Sequence, residues 1–167
     1  MTGFVIDLAS LGGIAARLGT ATGLGALIGL NRRVRHHPAG LRTHALVALG
    51  AATATAIGFS IGPGPTDQAA AASRIIQGII TGIGFVGAGV VLHRNDPVGV
   101  HGLTTAASIW LVAILGIACG AGFVTPALVA FALVFLVLVA GGPIEHFFQE
   151  RLTRKPGPER RPRGPGS

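Results

Sequence analysis

Two short segments hold the residues best able to bind a ligand: Arg42-Thr43-His44, and Thr104-Thr105 followed by Ser108. Arginine supplies a fixed positive charge and five donors, and histidine offers a donor and an acceptor. Threonine or serine in the first turns of a helix places a hydroxyl beside free backbone N–H groups. Together these suit an anionic or carbonyl-bearing partner better than a bare cation. Asn31 and His101 stand close by in the chain and complete a candidate polar pocket, with His101 at its rim. Simple helix capping is the other reading of Thr104, Thr105 and Ser108. Enzymatic chemistry finds no support, because no nucleophile–base pair is visible and the six histidines lack the short spacing of a helical metal site. No catalytic residue, metal or cofactor is expected. Gly82-Ile83-Gly84-Phe85-Val86-Gly87 spells a dinucleotide fingerprint, but it lies inside an apolar run with no acid near position 107.

These residues must be positioned by membrane helices. The 167 residues suffice for one domain, half of them are hydrophobic and only 11% are charged, against about 25% in an ordinary soluble domain. Mean hydropathy is +0.65. Disorder is excluded for most of the length, and the single Cys119 excludes a disulfide scaffold and reads as a small buried hydrophobe. A net charge of +7 could indicate nucleic acid, but the basic residues gather between and after apolar runs, so no nucleic acid is expected.

The pattern predicts an all-α, polytopic integral membrane protein with five transmembrane helices. The first ends at Leu30; the others cover residues 43–61, 74–92, 104–123 and 126–140. Asp7 and the lack of a basic residue among the first ten predict an uncleaved first helix. All 13 lysines and arginines except Arg17 and Arg74 fall in the first loop, the loop near Arg94, or the tail. With five spans these share one side, which predicts the N-terminus outside and the C-terminus in the cytoplasm. Residues 1–142 form the expected transmembrane domain. Residues 143–154, with Ile144, Phe147, Phe148 and Leu152 at helical spacing, form an expected amphipathic interfacial helix, and 155–167 a disordered basic tail near anionic lipid.

Helices in lipid associate through close contact at small residues. Gly25 and Gly29, Gly78 and Gly82, and Gly116 and Gly120 are each four apart, so each pair lies on one helix face; with Gly84, Gly87 and Gly89 they are the expected packing faces. Arg17 lies about 20 Å from Leu30 along a helix rising about 1.5 Å per residue, where it can snorkel to the outer surface. Arg74 reads as an interface anchor on that side, and pairing of either arginine with Asp67 is the sharper alternative. The six carboxylates all fall near ends, in loops or in the tail. That argues against a Mg²⁺ conduit through one copy and against a proton-carrying rotor subunit.

Three blocks read together resemble the MgtC/SapB family of small bacterial inner-membrane proteins: Gly25 to Leu30 continuing through Ala39 to Gly50, Gly82 to Gly89, and Gly102 to Trp110. The resemblance covers roughly Arg17 to Gly122 and is to a short form without the soluble C-terminal domain of longer members. It implies a non-enzymatic protein of the bacterial inner membrane, tied to Mg²⁺ homeostasis or stress adaptation. Such a protein would act through a membrane or cytoplasmic partner or as a homo-oligomer, with an oligomeric Mg²⁺ transporter or channel as the alternative. Two positions depart from the family pattern. Asn31 stands where an acid usually follows the Gly-Leu of the first span, and Ala71 where an acid commonly precedes Arg74, leaving Asp67 as the nearest substitute.

Overall fold

The computed structural model describes residues 8–92 and 102–152. They form five helices: α1 Leu8–Val34, α2 Leu41–Gly58, α3 Pro65–Leu92, α4 Leu103–Gly120 and α5 Val124–Leu152. No strand occurs among the described residues. A helix bonds its own backbone, which is what an apolar run needs where no water can do so. Four helices are long and apolar enough to cross a membrane, over Leu11–Val34, Pro65–Leu92, Leu103–Gly120 and Val124–Ile144. The remaining helix, α2, has 18 residues, carries Arg42 and His44 near its start, and packs against α1, α3 and α4. Its polar groups can therefore meet protein instead of lipid.

Three helices, α1, α3 and α5, are longer than the apolar runs suggest. α1 continues past Leu30 and takes Arg32 and Arg33 into its last turn, where the negative end of the helix dipole favours them. α3 begins at Pro65 rather than Arg74, since proline fits a first helical position and Asp67 in the first turn complements the dipole. The turn before it needs glycine: Gly62 has φ +108°, and a Cβ there would lie 2.6 Å from the Asp67 Cβ.

The chain divides into two units, Met1–Phe135 and Leu136–Ser167. The first is built on small residues. Ala21, Ala48, Ala52 and Ala113 are fully buried, and a Cβ added at Gly25 would lie 2.6 Å from the His44 carbonyl oxygen. At Gly29 it would lie 2.6 Å from the Leu41 Cα, and at Gly116 and Gly120 it would come within 3.0 Å of the backbone of Ala48 and Ala52. These four glycines let α1 and α4 close on the backbone of α2. Gly58, absent from the expected set, does the same for α2 and α3, with the Ala72 Cα 2.9 Å from its Cβ position.

The expected faces on α3 are placed differently. Gly78, Gly82, Gly84 and Gly89 have nothing within 4 Å, while Gly87 makes an ordinary contact with Ala106 at 3.5 Å. Four-residue spacing puts glycines on one face of a helix but does not say which face meets a neighbour.

In the second unit α5 runs through Gly141-Gly142-Pro143 without a break. Proline removes one helix donor, a loss that membrane helices tolerate. The apolar residues expected in a separate interfacial helix thus sit on a continuation of α5. Ile144, Phe147, Phe148 and Leu152 are all exposed, and the Arg151 guanidinium lies 4.8 Å from the Phe147 ring centroid. The expected tail at 155–167 and His101 lie outside the described residues.

Candidate functional site

The polar groups of the first unit collect where α1 ends and α2 and α4 begin. Arg32 from the last turn of α1, His44 from the first turns of α2, and Thr105 and Ser108 from those of α4 are all at most 2% exposed. Arg32 Nη2 donates to the Thr105 hydroxyl. Ser108 Oγ lies 2.8 Å from the Thr105 carbonyl oxygen and 3.1 Å from His44 Nε2. His44 Nδ1 donates to the Gly40 carbonyl at 2.9 Å, because a carbonyl can only accept, and this fixes a proton on Nδ1. One hydrogen-bonded chain therefore joins three helices. The single Ser108 proton has two acceptors within reach, the Thr105 carbonyl and an unprotonated Nε2.

Arg32 is a buried cation whose bonded partner is a neutral hydroxyl. Its Nε and the nearby chain neighbour's Asn31 Oδ1 are buried without a hydrogen-bond partner, as is Thr55 Oγ1 further along α2. Orphaned buried polar atoms cost stability, so this corner sacrifices some in keeping its charge. Among the described residues no three His, Cys, Asp or Glu groups gather to hold a metal ion.

The expected pocket thus divides into two places. His44, Thr105 and Ser108 come together inside, and Asn31 is partly buried near them in sequence beside Arg32. Arg42, Thr43 and Thr104 are exposed. Arg42 and Thr43 line a separate cleft of about 440 Å³ with Arg33, Pro38, Gly40 and Leu41. The capping reading of the α4 residues does not describe them: the N-cap is Gly102 at φ +91° with no side-chain cap bond, and the Thr105 hydroxyl faces Arg32 instead.

Arg32 is the residue that sequence reasoning missed, having counted it as a loop charge. A signal was present. Gly25, Gly29 and Arg32 fall at i, i+4 and i+7, so the arginine continues the face along which α1 closes on α2. His44 likewise heads the buried series Ala48, Ala51, Thr55 and Gly58, and Thr105 and Ser108 head the series Val112, Gly116 and Gly120.

At the other end, Arg17 is exposed and its guanidinium atoms lie 3.3–3.4 Å from the Cβ position of Gly122, in the turn between α4 and α5. Arg74 is exposed too, and among the described residues Asp67 forms an ion pair with neither arginine. Trp110 is 41% exposed and borders an apolar groove of about 500 Å³ with Gly84, Gly87, Ala88 and Ala106.

Comparison with known proteins places this arrangement. The family model described as MgtC family matches residues 18–147. Protein MgtC of Brucella abortus (strain 2308) is 42% identical over 125 residues, covering 75% of this chain and 49% of that protein. Protein SapB of Bacillus subtilis (strain 168) is 37% identical over 150 residues, covering 88% and 61%, and Protein SrpB of Synechococcus elongatus is 43% identical over 118 residues, covering 66% and 64%. The chain thus spans about half the length of the Brucella relative. No solved structure matches. The chain belongs to the MgtC family.

Proposed function

We propose that this protein is a non-enzymatic component of the bacterial inner membrane, serving Mg²⁺ homeostasis or stress adaptation by binding a membrane or cytoplasmic partner. The N-terminus lies outside and the C-terminus in the cytoplasm, with α2 completing five crossings. The observation that carries this reading is Arg32. A guanidinium 2% exposed, held among three helices by a neutral hydroxyl, puts fixed positive charge inside the bundle. A cation passing there would be repelled and would lose water without gaining carboxylate ligands. A binding role asks only that the corner be rigid, which the chain from Arg32 to Gly40 supplies.

The alternative is an oligomeric ion pathway, in which several copies build what one does not. The open glycine face of α3 favours it, since Gly78 and Gly82 meet nothing within 4 Å in a single chain. One experiment separates the two. Purified protein in liposomes is expected to show no Mg²⁺ flux above empty vesicles while still complementing a low-Mg²⁺ growth defect in a strain lacking it. Saturable Mg²⁺ flux that disappears in a Gly82→Leu variant would replace the binding reading with the oligomeric one.

A further inference from the structure

We infer that the cleft between the end of α1 and the start of α2 is a phosphate site, filled by the headgroup of an anionic phospholipid. The inference goes beyond the Mg²⁺ reading and does not depend on it. The cleft has a volume of about 440 Å³ and presents two exposed arginines, Arg33 and Arg42, beside Thr43. The Arg33 stem lies against Gly40, with its Cβ and Cδ 3.6 Å from the Cβ position there, which brings the side chain to the head of α2. Gly40 is the N-cap and supplies no side-chain cap bond.

Charge identifies the ligand class. Arg33 and Arg42 line the cleft, and none of its lining residues is acidic. That pair of cations suits an anionic ligand. Two guanidinium forks match tetrahedral phosphate oxygens, and the helix start adds N–H donors of the same polarity. Position selects the source. The cleft opens at the end of the membrane-crossing segment Leu11–Val34, the level at which phospholipid phosphates lie. A headgroup arrives there tethered, whereas free phosphate must be captured from solution.

The test titrates short-chain phosphatidylglycerol, short-chain phosphatidylcholine and inorganic phosphate separately into the full chain in neutral detergent, with heat of binding as the readout. Phosphatidylglycerol should bind saturably and phosphatidylcholine weakly. Arg33→Gln with Arg42→Gln should weaken phosphatidylglycerol roughly tenfold or more, with unchanged helix content. Arg151→Gln, which removes one positive charge elsewhere, should change it less than about twofold. Inorganic phosphate binding with the same arginine dependence, without phosphatidylglycerol binding, would overturn the lipid headgroup as occupant and leave free phosphate in its place. Equal losses in the double variant and Arg151→Gln, or no binding by either phosphate compound, would overturn the site.

Discussion

Glycines spaced four apart on α1 and α4 are buried against backbone, whereas glycines with the same spacing on α3 face open space. At Gly25, Gly29, Gly116 and Gly120 an added Cβ would lie within 3.0 Å of α2 or the residue before it; at Gly78, Gly82, Gly84 and Gly89 it would meet nothing within 4 Å. The difference lies in what stands opposite. α2 presents Ala48 to both α1 and α4, and Ala51 and Ala52 to α4, so small meets small and the backbones close. Around the α3 glycines stand exposed side chains of its own, Gln77, Thr81 and Phe85, the last 84% exposed. A seam needs two matched surfaces, and the alanines of α2 provide the second.

The largest expected effect breaks that contrast directly. Gly120→Ala places a methyl group against Ala52 backbone atoms, which cannot turn aside as a side-chain tip would. It should cost about 3 kcal/mol. Set against a typical stability of about 5–15 kcal/mol, that should appear as a lower yield of monodisperse protein and a lower thermal midpoint in detergent. Gly82→Leu in the same assay should stay within about 0.5 kcal/mol of the parent. Equal losses in both variants would mean that a second molecule covers α3 in the assembled protein.

The next contrast is between adjacent threonines. Thr105 is 1% exposed and accepts from Arg32, while Thr104 is exposed. Thr105→Val keeps the shape and leaves Arg32 Nη2 without that acceptor, for an expected loss of about 1–3 kcal/mol. Thr104→Val should change the thermal midpoint hardly at all. Indistinguishable midpoints would show that Arg32 finds another partner and that the chain from Arg32 to Gly40 is not what joins the three helices.

The helices were legible from hydropathy because lipid requires long apolar runs with self-bonded backbones. α2 was legible only in part, since the start of α4 gives His44 a partner in Ser108 that no local window records. The buried polar corner was half visible. His44, Thr105 and Ser108 stood out as polar residues at helix starts, but their separation from Arg42, Thr43 and Thr104 depends on which side of each helix faces inward. Arg32 was hidden by its type, because an arginine after an apolar run ordinarily marks the cytoplasmic end of a span. Only its register with Gly25 and Gly29 gives away a place on the packing face.

A third kind of glycine sharpens the comparison, one held by backbone conformation as well as by space. Gly62→Ala forces an L-residue to φ +108° and sets its methyl against Asp67 at the start of α3. A cost of about 1–2 kcal/mol is expected from the conformation alone. Gly64, whose Cβ position lies 3.8 Å from Asp67 Oδ2 and whose φ is not positive, should accept alanine with a far smaller change in thermal midpoint. Equal sensitivity at the two positions would place the constraint in the turn as a whole.

The smallest effect is expected at the surface of the same corner. Arg42 is exposed and Arg32 is 2% exposed, so lysine at the two positions asks different questions of one charge. At position 42 the positive-inside rule counts charge and ignores shape, and lysine still attracts phosphate as a point charge. Arg42→Lys should therefore keep wild-type orientation in reporter fusions, normal membrane levels and complementation of low-Mg²⁺ growth. At position 32 a planar guanidinium bonds Thr105 within a closed space, and a compact ammonium on a different stem does not reproduce that geometry. Arg32→Lys should lower the membrane level or the growth it supports. Loss of growth in Arg42→Lys at normal membrane level, with Arg32→Lys unaffected, would reverse the assignment and move the functional role from the buried guanidinium to the exposed one.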